Sequence, residues 1–311
     1  MDARSDRYVR RSVDAGEVRL AAGTWSGTEP TLVALHGLTG THLHFVGLAT
    51  HLQERAAIWA PDLRGRGGSD KPAQGPYGMP QHAADVAAAM RRLGLGPSVI
   101  VGHSMGAYVG AELAARNPDL VAGLVMLDGG YLLDPPPDLD PDLLLEFLLK
   151  PQVDRLRMTF ASRQEYLDYW RALPALPPEA WSAWIEALLD YDLGGEEPNL
   201  RPRQLERAVR EDFASMADKA AATERLRALR CPVLVIRAQG GVAFGQPPVI
   251  PDTVMSEIRA CLPDVEERLL AGTNHYTILL AEPGVRAVAD LIDSFSLRCL
   301  AGAALPDPTR G

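Results

Sequence analysis

Ser104 sits at the centre of "VIVGHSMGAYVG", with Gly102 two residues before it and Gly106 two residues after. A serine hydroxyl becomes a nucleophile only when a base takes its proton. Six of the seven histidines lie at or before position 103, and only His275 follows Ser104. If the serine precedes its base in the chain, His275 is the single candidate. Further upstream, "TLVALHGLTG" sets His36-Gly37-Leu38-Thr39-Gly40 after a buried-strand run. A loop there can aim the Leu38 N–H at the same point as the Met105 N–H, giving two donors for the oxyanion of a tetrahedral intermediate. The chemistry these residue types could perform is acyl transfer to Ser104, followed by release with water.

The pattern G-x-S-x-G alone is weak, since chance supplies roughly 0.1 occurrence in a chain of this composition. Its surroundings give it weight. "SVIV" directly before the motif reads as a buried strand, and "MGAYVGAELAARN" directly after it reads as a helix with small residues at helical spacing. A strand that turns at once into a helix forces its corner residue to φ above zero and crowds it from both sides, which is why glycines suit positions 102 and 106. The helix behind the corner also points its positive end at the hydroxyl.

The elements that must carry this corner alternate. Short apolar runs predict eight strands, near Arg7–Asp14, Val18–Thr24, Thr31–His36, Ala57–Ala60, Ser98–Val101, Ala122–Leu127, Pro232–Arg237 and Val265–Leu270. Helical patterns fall between them, near His42–Arg55, Pro80–Leu93, Met105–Asn117, Thr253–Leu262 and Tyr276–Ser296. This alternation predicts a mostly parallel sheet with helices on both faces. It breaks once, between Gly129 and about Leu229, where "PDLLLEFLLK", "SRQEYLDYWRAL", "PPEAWSAWIEALLDY" and "RQLERAVREDFASM" follow one another without a convincing strand, joined by proline-rich stretches at Pro135–Pro137 and Pro174–Pro178. Ser162 stands three residues before Glu165, the spacing of a capping box. The expected division is therefore a core of residues 1–128 and 230–299, a helical insertion at 129–229 and a disordered tail at 300–311. Tryptophans 170, 181 and 184 fall in the insertion; packing explains most of them, and Trp170 and Trp184 are candidates to line a substrate cavity, as are His44 and Phe45 of "THLHF".

Bulk properties limit the partners. At 311 residues, 47% hydrophobic and 23% charged, the chain is an ordinary globular one, and no apolar run approaches the roughly 18 residues of a membrane span. A net charge of −9 offers no positive surface for nucleic acid. The first residues mix charges without an apolar stretch, and Cys231, Cys261 and Cys299 lack ligand spacing, so a cytoplasmic protein with reduced cysteines is expected. His42 and His44, two apart, make a poor metal site, and no metal or other cofactor is expected. Asp62 and Arg64 read as braces of the loop "DLRGRGGSD", and His36 as structural.

Taken in order and at these separations, "HGLTG", "DLRGRGGSD", "GHSMG" and "GTNHYTIL" resemble the α/β-hydrolase fold superfamily, specifically its capped, esterase-like serine hydrolases. The resemblance covers nearly everything except the insertion, which falls where such proteins commonly carry a helical cap. It implies Ser104 as nucleophile, His275 as base, and Leu38 and Met105 as oxyanion donors. Members often place the triad acid in a G-x-x-D turn after the strand written here as "CPVLVIRAQGG", but Ala238 and Gly241 occupy those two places. The location some members use instead is the end of "LVAGLVMLDGG", which points to Asp128; Asp252 in "VIPDTVMSEI" is the alternative, although it also reads as a helix cap. The function implied is cleavage of a small, largely apolar carboxylic ester or lactone through an acyl-enzyme, without a cofactor. Thioesterase or carbon–carbon hydrolase chemistry uses the same parts, and a non-catalytic ligand-binding member is the reading from a different class. The sequence leaves the substrate and the oligomeric state open.

Overall fold

The computed structural model describes residues 7–131, 140–242 and 245–303. An eight-stranded sheet, apolar and β-branched in its central strands, is formed by β1 (Tyr8–Asp14), β2 (Arg19–Trp25), β3 (Thr31–Leu35), β4 (Ala57–Pro61), β5 (Ser98–His103), β6 (Val121–Leu127), β9 (Val233–Ala238) and β10 (Glu266–Leu270). A two-residue ladder, β7 (Leu193–Gly194) with β8 (Arg201–Pro202), stands apart. The sheet order is β1-β2-β4-β3-β5-β6-β9-β10. β1 and β2 run antiparallel to each other, and β2 runs antiparallel to β4; every other pairing in the sheet is parallel.

Alternation along the central strands explains why helices cover both faces. Val33 and Leu35 of β3, Ile100 of β5, and Leu124 and Met126 of β6 enter one apolar cluster. Leu32 and Ala34, Val99 and Val101, and Val125 and Leu127 enter the other. Side chains on neighbouring positions of a strand point to opposite faces, so each strand feeds two cores and reads as an unbroken apolar run. Helices Met79–Leu93, Met105–Arg116 and Asp252–Cys261 pack on the first face; Val46–Leu52 and Gly284–Ala303 pack on the second.

Several elements depart from the expectation, for local reasons. The helix expected over Tyr276–Ser296 is two, Thr277–Leu280 and Gly284–Ala303, because Pro283 has no N–H with which to continue the first. The second runs to Ala303, so the start of the expected tail is helical; residues 304–311 lie outside the described part. The helix expected over His42–Arg55 comes as a 3-10 turn, Val46–Leu52 and a second 3-10 turn.

Between β6 and β9 lie five helices among the described residues, Pro141–Arg157, Arg163–Arg171, Ala183–Asp192, Glu206–Ala217 and Lys219–Arg227, where four segments were expected. The fifth begins where the Asp218 carboxylate accepts the Ala221 N–H at 3.0 Å. The segment also holds the two-residue β7–β8 ladder, where no convincing strand was expected. Pro135–Pro137 lies outside the described residues. Ser162 caps its helix as its spacing predicts, accepting the Glu165 N–H at 3.2 Å. The first insertion helix kinks at Leu149 (φ −130°, ψ 27°), two residues before Pro151, which cannot donate to the turn before it.

Candidate active site

The corner between β5 and helix Met105–Arg116 is Ser104, with φ 55° and ψ −120°. A non-glycine residue there is strained and persists only where its surroundings over-determine it. Those surroundings are backbone in contact with backbone. A Cβ on Gly102 would lie 2.2 Å from the Gly106 carbonyl oxygen, and one on Gly106 would lie 1.9 Å from the Leu35 carbonyl oxygen. The Ser104 N–H is spent on the Leu127 carbonyl of β6 at 3.0 Å, which pins the corner to the sheet.

His275 follows β10 in a buried turn and is 8% exposed. Its Nδ1–H donates to Asp128 Oδ2 at 2.7 Å. Asp128 directly follows β6, is fully buried, and adopts φ 46°. Its other oxygen accepts the Ala238 N–H at 3.0 Å. The carboxylate is thereby fixed by a backbone donor on one side and the imidazole on the other, an arrangement that leaves Nε2 of His275 as the basic nitrogen. Asp252 is elsewhere: its carboxylate is 93% exposed and pairs with Arg237 at 3.0 Å. It opens helix Asp252–Cys261 as the residue after its cap, Pro251, and makes no contact with His275.

His103 ties the two halves together. Its ring lies 4.8 Å from that of His275, and its Nε2–H donates to the His275 carbonyl at 3.0 Å. Burial holds this imidazole well below its ordinary pKa, so it stays neutral. Ser104 and His275 line one cavity of about 60 Å³, together with His103, Leu38, His44 and Tyr276.

Loop 36–40 is shaped by His36. The Leu63 N–H donates to its Nε2 at 2.9 Å, so the proton resides on Nδ1, which donates to the Gly37 carbonyl at 2.8 Å. The Gly40 N–H holds the same carbonyl at 3.0 Å. In a trans peptide the C=O and the following N–H point in opposite directions, so holding the Gly37 oxygen inside the loop turns the Leu38 N–H outward. Neither the Leu38 nor the Met105 amide has a hydrogen-bond partner among the described residues. Burial pushes His36 down to about 3, and its structural reading agrees with these bonds.

The other expected residues separate. His44 lines the cavity, with burial lowering its pKa to about 4. Phe45, Trp170 and Trp184 do not line it, which corrects the expectation. Phe45 is wholly buried in the second core face. Trp170 packs its edge against Tyr276, with ring centres 6.2 Å apart. Trp184 packs over Gly47 and His51. His42 donates to Asp62 at 2.8 Å and meets the Tyr8 hydroxyl at 2.8 Å, so both its nitrogens are engaged and its carboxylate partner comes from a distant strand end. Asp62 and Arg64 brace their loop as expected: Asp62 also accepts the Gly68 N–H at 2.9 Å, and Arg64 donates to Asp85 at 2.6 Å.

Sequence reasoning missed Leu149, Gln152, Val242 and Tyr276, which also border the cavity. Tyr276 could have been found from its place beside His275. Gln152, among Lys150, Asp154 and Arg155, carried no signal of its own. A wider groove of about 490 Å³, between Arg10, Tyr191 and Arg203, contains neither Ser104 nor His275. The smaller cavity is the candidate site, because the residues expected as nucleophile and base both border it.

A parallel-centred sheet with a serine at the β5 corner and a histidine after the last strand defines an α/β-hydrolase. Residues 30–282 match the family model described as the alpha/beta hydrolase fold, and the chain belongs to that family. Along nearly its whole length it is similar to the 2-(acetamidomethylene)succinate hydrolase of Mesorhizobium japonicum, at 27% identity over 300 residues, covering 94% of this chain and 98% of that protein. The crystal structure of E-2-(acetamidomethylene)succinate hydrolase superposes with a TM-score of 0.75 at 24% identity, covering 92% and 99% of the two chains. A thioesterase domain from the curacin biosynthetic pathway superposes with a TM-score of 0.72 at 17% identity, covering 94% and 99%. Among the described residues, no helix is long and apolar enough to cross a membrane.

Proposed function

We propose that this α/β-hydrolase cleaves a small carboxylic acid derivative through an acyl-enzyme, with an ester or lactone as the leading substrate class. Ser104 attacks the carbonyl, and His275 takes the proton through Nε2 and passes it to the leaving group. Asp128 holds the imidazole in the working tautomer. The Leu38 and Met105 amides receive the oxyanion, and water then releases the acid with His275 as base. The observation that carries this reading is the 2.7 Å contact between His275 Nδ1 and Asp128, which leaves Nε2 available in the cavity that Ser104 borders. In this reading residues 129–229 act as the cap, since Leu149 and Gln152 from that segment border the same cavity. A cytoplasmic location accords with its three free cysteines.

A nitrogen leaving group is the second reading. It is favoured by the full-length relative, whose name describes hydrolysis of an acetamido compound. A panel of p-nitrophenyl esters, lactones, thioesters and anilides on purified protein tests both. The proposal expects a stoichiometric burst of p-nitrophenol with at least one acyl group; turnover without any dependence on Ser104 contradicts it.

A further inference from the structure

Helix Pro141–Arg157 brings a second polar group toward the cavity from the insertion. Arg155 is 1% exposed, and its guanidinium is spent on one side only. Nη1 donates to Asp192 at 2.6 Å and to the Tyr166 hydroxyl. Nε and Nη2 are buried and have no hydrogen-bond partner among the described residues. A guanidinium keeps its charge at any ordinary pH, and a buried N–H without an acceptor carries its full desolvation penalty. Such a group calls for an explanation.

Its location supplies one. Arg155 does not itself border the Ser104 cavity, but its neighbours on two sides lead to residues that do. On one side Gln152, one turn earlier on the same helix, donates to the Tyr276 hydroxyl at 3.2 Å, and both residues border the cavity. On the other side the Asp192 carboxylate that pairs with Arg155 also accepts from Gln204, whose amide donates to the Thr39 carbonyl at 3.0 Å in the loop that carries the Leu38 amide. The guanidinium lies 5.2 Å over the Trp170 ring, which packs against Tyr276. Nε and Nη2 form the side edge of the guanidinium, where two parallel N–H groups match the two oxygens of a carboxylate. A single carbonyl oxygen would leave part of that edge unsatisfied.

We infer that the Nε–Nη2 edge of Arg155 is a carboxylate subsite, so that the substrate carries a free carboxylate in addition to the group that Ser104 attacks. This deepens the serine-hydrolase reading and rests on it. Recognition in this form works by the penalty on the alternative: a neutral substrate leaves the buried edge unpaired, whereas an acid satisfies it.

The test is protection of Ser104 from a neutral fluorophosphonate by malonate, succinate, glutarate and adipate, each compared with its dimethyl ester. At least one diacid is expected to halve the labelling rate at a concentration tenfold or more below that of its diester. In Arg155→Met this ratio falls to about one. In Arg155→Lys, which keeps the charge and loses the fork, it is intermediate. Because the ratio is taken within one variant, a smaller folded fraction cancels from it. Labelling without any preference for a diacid, or a preference that survives Arg155→Met, overturns the carboxylate subsite and leaves the serine-hydrolase reading intact. A wild-type protein that does not label at all removes both.

Discussion

Replacing Asp128 by Asn changes one oxygen to an NH₂ group in a place where both oxygens are already committed. One accepts from His275 at 2.7 Å and the other from the Ala238 N–H at 3.0 Å. The amide has two orientations. If its NH₂ faces Ala238, two donors oppose each other in a fully buried site, at a cost of about 1–3 kcal/mol. If its NH₂ faces His275, the imidazole must accept at Nδ1, and the proton moves to Nε2, where it blocks the base. The second orientation keeps every bond satisfied, so it wins, and the folded protein is left with the wrong tautomer. A loss of about 10³–10⁴ in kcat/KM is expected, or roughly 4–5.5 kcal/mol at 1.36 kcal/mol per decade, with thermal stability little changed. The assay is p-nitrophenyl acetate turnover beside a melting curve, with Asp252→Asn as the control; that exposed carboxylate pairs with Arg237, and its loss is expected to alter turnover less than twofold. An Asp128→Asn enzyme within tenfold of wild type refutes the reasoning.

Two further outcomes follow from the same geometry. Burial lowers His36 to about 3 and His44 to about 4 and holds His103 well below its ordinary value, so all three remain neutral in the folded state at pH 5 while the unfolded chain binds their protons. Groups with depressed folded pKa values contribute stability above their unfolded pKa of about 6.5, and it is lost as pH falls. Three extra protons in the unfolded chain give a slope of up to about 4 kcal/mol per pH unit near pH 5. Urea unfolding at pH 7, 6 and 5 should show the midpoint falling steeply; a flat profile contradicts the burial of these rings. Gly106→Ala would set a Cβ 1.9 Å from the Leu35 carbonyl oxygen, a clash that only separation of helix and strand can relieve. A cost of about 3 kcal/mol or more and a Tm lower by roughly 6–12 °C are expected; an unchanged melting temperature and activity would show that the corner is looser than described.

Much of this architecture was legible because it depends on local signals. The central strands of the sheet were marked by β-branched runs buried on both faces, such as "SVIV" before Gly102. The corner was marked by two glycines whose need is backbone contact, and His275 by elimination. What the sequence hid depends on long-range packing. The break before Gly284 turns on Pro283 inside an otherwise continuous apolar pattern, and the helix beginning at Lys219 on a cap at Asp218 that the polar composition masked. Trp170 and Trp184 looked like cavity residues by type, yet their neighbours are fixed by how the insertion folds onto Tyr276 and Gly47. Arg155 and Gln152 were hidden for the same reason: a polar residue in a helix reads as solvent-facing until the tertiary fold buries it.

Mass spectrometry of the protein after exposure to a fluorophosphonate tests the central claim most directly, since it requires a nucleophile, a base and an oxyanion site together. One adduct per chain, mapped to Ser104, absent from Ser104→Ala and formed at least a hundredfold more slowly in His275→Ala, is the predicted result. Wild-type protein that stays unmodified, or an adduct on any residue other than Ser104, contradicts it.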